Sequence, residues 1–155
     1  MTSWTTTFRR ASAGDIDAIL PHMTVFNEEE LIAFKPDKGR RALGELLRHP
    51  EWGFVLLAEV DESVVGYALV AYGFDIEYGG RDAFLCELFI AREHRAHGLG
   101  RSLLEVAEAE ARDAEVSALH LLVRNENTRA KGLYERSGFV VDPRPLMTKP
   151  LVSEG

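Results

Sequence analysis

The chain has 155 residues, 46% hydrophobic and 28% charged, with a formal net charge of −7, the profile of one soluble globular domain large enough to bury a core. No apolar run approaches the ~20 residues a membrane-spanning helix needs, the opening MTSWTTTFRR lacks a signal-peptide core, and the negative balance argues against a nucleic-acid-binding surface. The lone cysteine, Cys86, excludes an internal disulfide framework and fits a reducing compartment, so a cytoplasmic protein is expected.

Along the chain, TTFRRA reads as an opening strand and SAGDIDAILPHM as a helix with Ser12 or Asp15 near its start. Pro21 is expected to kink or end that helix, because proline removes a backbone donor. FNEEELIAF allows two readings. Asn27 followed by Glu30 resembles a capping box, while Glu28, Glu29 and Glu30 could draw in a cationic partner. DKGRRALGELLRHP supplies a second helix with Leu43, Leu46 and Leu47 on one face and His49-Pro50 as its stop.

Strands follow. GFVLLAEV and SVVGYALVAYGFDIEY are rich in β-branched and aromatic residues, and Asp61-Glu62 between them predicts a short hairpin. Gly79-Gly80 predicts a tight turn into DAFLCELFIA. The helix GRSLLEVAEAEARDA comes next, with Leu99, Leu103, Ala107 and Ala111 at four-residue spacing. Strand SALHLLV, helix NTRAKGLYERS with Gly138 at its end, strand FVV and a short strand near LMTK complete the chain. The order β-α-α-β-β-β-α-β-α-β-β is a mixed α/β layout in which helices cover both faces of one sheet. Neither a repeat nor a linker interrupts it, so residues 1–155 are read as a single domain.

The segment AREHRAHGLGRSLLEVAEAEAR, residues 91–112, places Arg92, Arg95 and Arg101 beside two glycines in an otherwise acidic chain. Two nucleotide motifs fail here. The dinucleotide fingerprint would put a small residue where Leu103 stands, and the P-loop would need a four-residue spacer and a lysine. What remains is a helix N-terminus, with unpaired amides and a positive dipole end, approached closely through glycines. That suits a pyrophosphate.

Arg95-Ala96-His97-Gly98-Leu99-Gly100 matches the R/Q-x-x-G-x-G/A signature, and LLVRNENTRAKGLYERSGF carries Asn127, Ala130, Leu133, Tyr134 and Gly138-Phe139 about 30 residues downstream. On these two motifs the chain resembles the GNAT superfamily of acyl-CoA-dependent N-acetyltransferases, most specifically between residues 82 and 140. The resemblance implies a mostly antiparallel sheet of six to seven strands, splayed between the strand at 83–91 and the strand at 117–124. It implies acetyl-CoA as acyl donor, held by Arg95, Ala96, His97, Gly98, Leu99, Gly100 and Arg101 and by Asn127 and Ala130. It also implies a bulged strand offering main-chain groups of Leu88, Phe89 and Ile90 to the thioester and pantetheine. Ala96 stands where relatives often carry glycine, a position the signature leaves open. Many relatives are dimers, and a homodimer is the corresponding expectation.

Acetyl transfer to an amine needs a base, because a free alkylamine with a pKa of roughly 10 is mostly protonated at neutral pH. Glu87 is the candidate, a charge inside the apolar AFLCELFIA; the alternative is an edge-strand charge facing solvent. The oxyanion needs a hydrogen-bond donor and the leaving thiolate a proton. Tyr134 matches the family tyrosine that supplies that proton, although a helix tyrosine can equally pack on a sheet. Asn127 can cap its helix, bond the pantetheine arm, or both. Cys86 has no convincing histidine partner as a nucleophile, and His94 and His97 lack the further ligands a metal site requires, so no metal is expected.

The acceptor pocket is expected from the first two helices and the middle strands, with Glu29, Phe34 and Tyr72 as candidate lining. Three readings follow: an N-acetyltransferase for a small primary amine, with polyamine-like compounds as candidates; a protein or peptide N-acetyltransferase; and a catalytically silent acyl-CoA-binding module. Neither nucleic acid nor membrane is expected as a partner.

Overall fold

The computed structural model describes residues 3–153. Its elements are β1 (Thr6–Arg10), α1 (Ile16–Glu29), α2 (Pro36–Arg48), β2 (Gly53–Val60), β3 (Ser63–Asp75), β4 (Gly80–Ile90), α3 (Leu99–Asp113), β5 (Leu119–Leu121) and α4 (Thr128–Arg136), with 3₁₀ turns at Ala13–Asp15 and Arg92–His94. The described residues divide between two compact units, one up to residue 122 with the sheet and one from residue 123 with α4. No helix among the described residues is long and apolar enough to cross a membrane.

The first unit is built on one sheet in the order β1-β2-β3-β4-β5. Neighbours are antiparallel up to β4, and β5 runs parallel to β4. Asp61 and Glu62 form the expected hairpin, both with positive φ, at 48° and 69°, the conformation whose twist matches the flanking strands. β4 and β5 pair only from Ala83↔Leu119 to Leu85↔Leu121. Beyond that point β4 continues to Ile90 bonded to β3 alone, so the two parallel strands part as expected.

The sheet has five strands, not six or seven. FVV and the LMTK segment form no strand. Phe139 N–H bonds back to Tyr134 O at 3.0 Å, closing a turn, and Asp142 Oδ1 accepts from Arg144 N at 2.8 Å. Pro143, Pro145 and Pro150 remove three backbone donors from the same stretch, which leaves too few for a ladder.

Pro21 does not end helix α1, which runs through it to Glu29. One absent donor is outweighed by the burial of Ile19, Leu20 and Met23 on either side of it. Asn27 and Glu30 therefore cap no helix start. They lie at the C-terminal end of α1, where buried Asn27 donates from Nδ2 to Met23 O at 2.8 Å. The stop is a Schellman motif. Leu31 takes φ 57°, its N–H reaches Glu28 O at 3.2 Å and Ile32 N–H reaches Asn27 O at 2.9 Å.

Both faces of the sheet are covered. On one, Ile19, Leu20 and Met23 of α1 and Leu43 of α2 pack with Val55, Leu57, Tyr67 and Phe89. Helix α3 buries Leu99, Leu103, Leu104, Ala107 and Ala111 against the other, contacting β2, β3 and β4. That is why GFVLLAEV reads as a nearly continuous apolar run instead of an alternating one.

Candidate active site

The site begins with an irregularity in β4. Val70 pairs with Leu85, but the next pair is Leu69↔Glu87, so Cys86 has no partner and forms a β-bulge. One extra residue shifts the pleat by one. Leu85 shares a face with Val70, whereas Glu87 shares a face with Leu69 and Tyr67, towards α1. Tyr67 pairs directly with Phe89, which makes it diagonal to Glu87, within reach of a long side chain.

Tyr67 O–H donates to Glu87 Oε1 at 2.6 Å, a short bond of the kind an ionised acceptor makes. Burial pushes the Glu87 carboxyl above the ordinary glutamate range, and the Tyr67 hydrogen bond pulls it part of the way back. Burial first, then the Glu87 charge, push the Tyr67 phenol well above its usual value, so it remains a donor. Burial and the same charge raise the Cys86 thiol, which disfavours the thiolate a nucleophile would need. Sequence reasoning reached Glu87 as a charge in an apolar strand. It missed Tyr67, because only the register and the bulge bring together residues 20 positions apart.

A prediction follows from the signs. In Tyr67→Phe the carboxylate loses the bond that favours its charged form, so the Glu87 pKa rises further. The acidic limb of kcat/KM against pH should move to higher pH, with the rate at the optimum reduced less than tenfold. A limb that stays put or moves down would disconnect Tyr67 from the titrating group.

At the end of β4 the chain turns through Arg92–His94 into α3. Two residues of this loop are left-handed, Ala96 at φ 65° and Gly98 at φ 80°. For Ala96 that conformation is strained, so the position the signature leaves open is one that favours glycine. The first intrahelical bond of α3 runs from Ser102 N to Gly98 O at 3.0 Å, which puts the amides of Leu99, Gly100 and Arg101 ahead of the ladder. Helix N-termini usually gain a capping side chain or an acid; this one has neither. Its positive end is open to an external anion.

The arginines divide their work. Arg101 is exposed and reaches Glu105 at 3.3 Å, leaving its charge beside the helix start. Arg95 turns away from it: Nε donates to Ile90 O at 2.7 Å, and its two terminal nitrogens bind Glu29 at 2.6 and 3.2 Å. Arg92 adds a longer contact to the same carboxylate, at 3.4 Å. Arg95, above all, holds Glu29 ionised, with its pKa lowered. The side chain of Arg95 thus ties the end of α1 to the end of β4. His94 and His97 both pack on Trp4, with ring centroids at 4.8 and 4.4 Å.

The remaining predicted residues are distributed as follows. Leu88, Phe89 and Ile90 pair with Ala68, Tyr67 and Gly66 of β3, on the stretch of β4 that β5 does not cover. Glu29 is held in the ion pair just described. Phe34 packs against the α1 face, with its ring over Gly39. Tyr72 lies on the opposite face from Glu87, near Phe54 and under the Arg81 guanidinium. In the second unit, Asn127 caps α4 by accepting from Ala130 N at 3.2 Å, as expected. Tyr134 sits on α4 with its ring edge-on to Phe139 at 5.7 Å.

Comparisons with known proteins agree with this geometry. A family model described as the acetyltransferase (GNAT) family matches residues 19–139. The uncharacterised N-acetyltransferase YhfO of Bacillus subtilis (strain 168) is 27% identical over 134 residues, covering 86% of this chain and 89% of that protein. Thialysine N-epsilon-acetyltransferase of Bos taurus is 32% identical over 75 residues, 48% of this chain and only 44% of the bovine protein. Among solved structures, integron cassette protein HFX_CASS3 from the mobile metagenome of Cole Harbour Salt Marsh superposes with a TM-score of 0.84 at 30% identity, covering 95% of this chain and 91% of that one.

Proposed function

Because the chain belongs to the acetyltransferase (GNAT) family, we propose that it transfers an acetyl group from acetyl-CoA to a primary amine of a small molecule by direct attack. The observation that carries this reading is Glu87: a half-buried carboxylate of raised pKa, set by the bulge on the α1 side of β4 and fixed by Tyr67. A raised pKa brings the carboxylate closer to that of an alkylammonium, which eases proton removal.

In this reading Glu87 takes the amine proton, directly or through a water. The nitrogen attacks the thioester carbonyl carbon, and main-chain groups of Leu88 to Ile90 receive the developing oxyanion. The C–S bond then breaks, and Tyr134, assigned by its place in the downstream motif, protonates the departing thiolate. The open first turn of α3, with Ala96, His97 and Gly98 before it and Arg101 beside it, holds the pyrophosphate, while Asn127 and Ala130 serve the pantetheine arm. Glu29 is committed to Arg95, while Glu28, exposed at the end of α1, is suited to a second positive charge on a polyamine-like acceptor. The bovine relative is itself named for acetylation of an ε-nitrogen.

Thiol release from acetyl-CoA, followed with polyamines, aminoglycosides, amino acids and peptides, tests the proposal. Turnover should concentrate in small alkylamines, and Tyr134→Phe should slow it tenfold or more while acetyl-CoA binding is kept. Turnover with peptides alone would shift the reading to a protein acetyltransferase. Tight acetyl-CoA binding without turnover on any acceptor would identify a silent module.

A further inference from the structure

A second cluster lies further back on the sheet, outside the proposed transfer site. Asp75 at the end of β3, Asp82 near the start of β4 and His120 in β5 bring one ligand atom each to within 4.8 Å of one another. None was a candidate in the sequence, where the search for a metal turned on His94 and His97. Here three strands supply the donors: Phe84 pairs with His120 and Gly73 with Asp82, which sets Asp82 diagonal to His120 on the same face.

The individual groups are placed for a ligand. Asp82 is 7% exposed with its side chain only 10% exposed, and its carboxylate accepts no hydrogen bond among the described residues. His120 Nε2 is buried and likewise lacks a hydrogen-bond partner, although it lies 3.2 Å from Asp82 Oδ2. The buried His120 Nε2 is left without a hydrogen bond and its contact with Asp82 is an ion pair only when the imidazole is protonated, an arrangement that costs free energy for the neutral ring unless a third group serves it. The spacing suits such a group. Two ligands about 2.1 Å from one ion at a tetrahedral angle lie about 3.4 Å apart.

Asp75 Oδ1 accepts from Glu77 N at 2.8 Å, which orients the carboxylate. The rings of Phe84 and Tyr78 lie 5.2 and 5.5 Å from that of His120 and form an apolar wall. Across from Asp82 the chain has Gly73, where a Cβ would come within 2.6 Å of Oδ1. The glycine leaves the carboxylate its room.

We propose that Asp75, Asp82 and His120 form a binding site for one divalent first-row transition ion, with zinc as the best match to one imidazole and two carboxylates. The ion bridges β3, β4 and β5 at the end where the parallel strands are still joined. It reinforces a β4–β5 ladder of only three residue pairs in the parallel geometry that is weaker per residue.

The test uses the full chain, stripped with chelator and carrying Cys86→Ser so that the thiol cannot bind metal. Zinc chloride is titrated by calorimetry and thermal denaturation, with magnesium and calcium chloride for comparison. The expected result is one zinc per chain and a Tm rise of roughly 5–10 °C at a hundredfold excess over the dissociation constant, with little response to magnesium or calcium. Asp82→Asn and His120→Asn should each weaken binding at least tenfold. Asp75→Asn, at a less buried position, should do the same and serves if either of the others fails to fold. Absence of stoichiometric zinc binding, or binding unchanged in folded variants, would overturn the site and leave Asp82 and His120 as an ion pair only.

Discussion

Replacement of Glu87 by glutamine should lower kcat by about a hundredfold, the loss typical of a positioned general base, without weakening acetyl-CoA binding. The deficit should narrow as pH rises. With the base gone, turnover waits on the fraction of amine already deprotonated, which grows up to a pKa of roughly 10. Stability should move the other way. Burial raises the Glu87 pKa in the folded state, so between the unfolded and folded values the native protein binds more protons than the unfolded chain. Stability contributed by the neutral acid is complete below the unfolded pKa and lost as pH rises through the folded one. Glutamine is neutral throughout and keeps an acceptor for Tyr67 O–H. The variant should therefore match wild type in acid and melt at an equal or higher temperature at neutral pH. A variant that is slow and also less stable at pH 7 would mean that Glu87 is structural, held by contacts its charge improves.

The second large effect is on folding. Gly66, in β3, faces Ile90, and a Cβ there would lie 2.4 Å from Phe89 O and 2.6 Å from Ile90 Cδ1. The isoleucine side chain can rotate, but the carbonyl belongs to the backbone of β4 and cannot yield without moving the strand. Gly66→Ala should cost about 3 kcal/mol, at the upper end of ordinary overpacking, and lower Tm by roughly 6–12 °C. The displacement falls on Phe89 and Ile90, so acetyl-CoA affinity should drop as well. Gly79→Ala is the control: φ is 80° but nothing lies within 4 Å of the added carbon, so only the conformational cost of about 1 kcal/mol remains. A loss at Gly66 no larger than at Gly79, measured by denaturant unfolding, would show that β4 yields to the added carbon and that the Phe89 carbonyl does not set the cost.

Much of this was legible because it is local. The α2, α3 and α4 segments declare themselves through a helical apolar period, and Asp61-Glu62 and Gly79-Gly80 through turn chemistry. The glycine spacing before α3 pointed to an anion without any knowledge of the sheet. What stayed hidden depends on residues far apart in sequence. Pro21 allowed a kink or an end, and the helix does not end there because burial that is not visible in the sequence outweighs the local cost. Val140 and Val141 looked like strand, yet a strand exists only where another pairs with it. The Arg95–Glu29 ion pair joins residues 66 positions apart. Tyr67 meets Glu87, and Asp82 meets His120, through register alone, and one bulged residue at Cys86 decides which face Glu87 presents.

The loop before α3 has a thermodynamic consequence of its own. Ala96 and Gly98 are both left-handed, so the directions of the following amides are fixed when the protein folds, before any anion arrives. The ordering entropy that a flexible loop would surrender on binding, about 1–2 kcal/mol per residue, is already spent. In the reading proposed above, the pyrophosphate meets a preorganised cradle, and its affinity is set by charge and amide geometry instead of by loop closure.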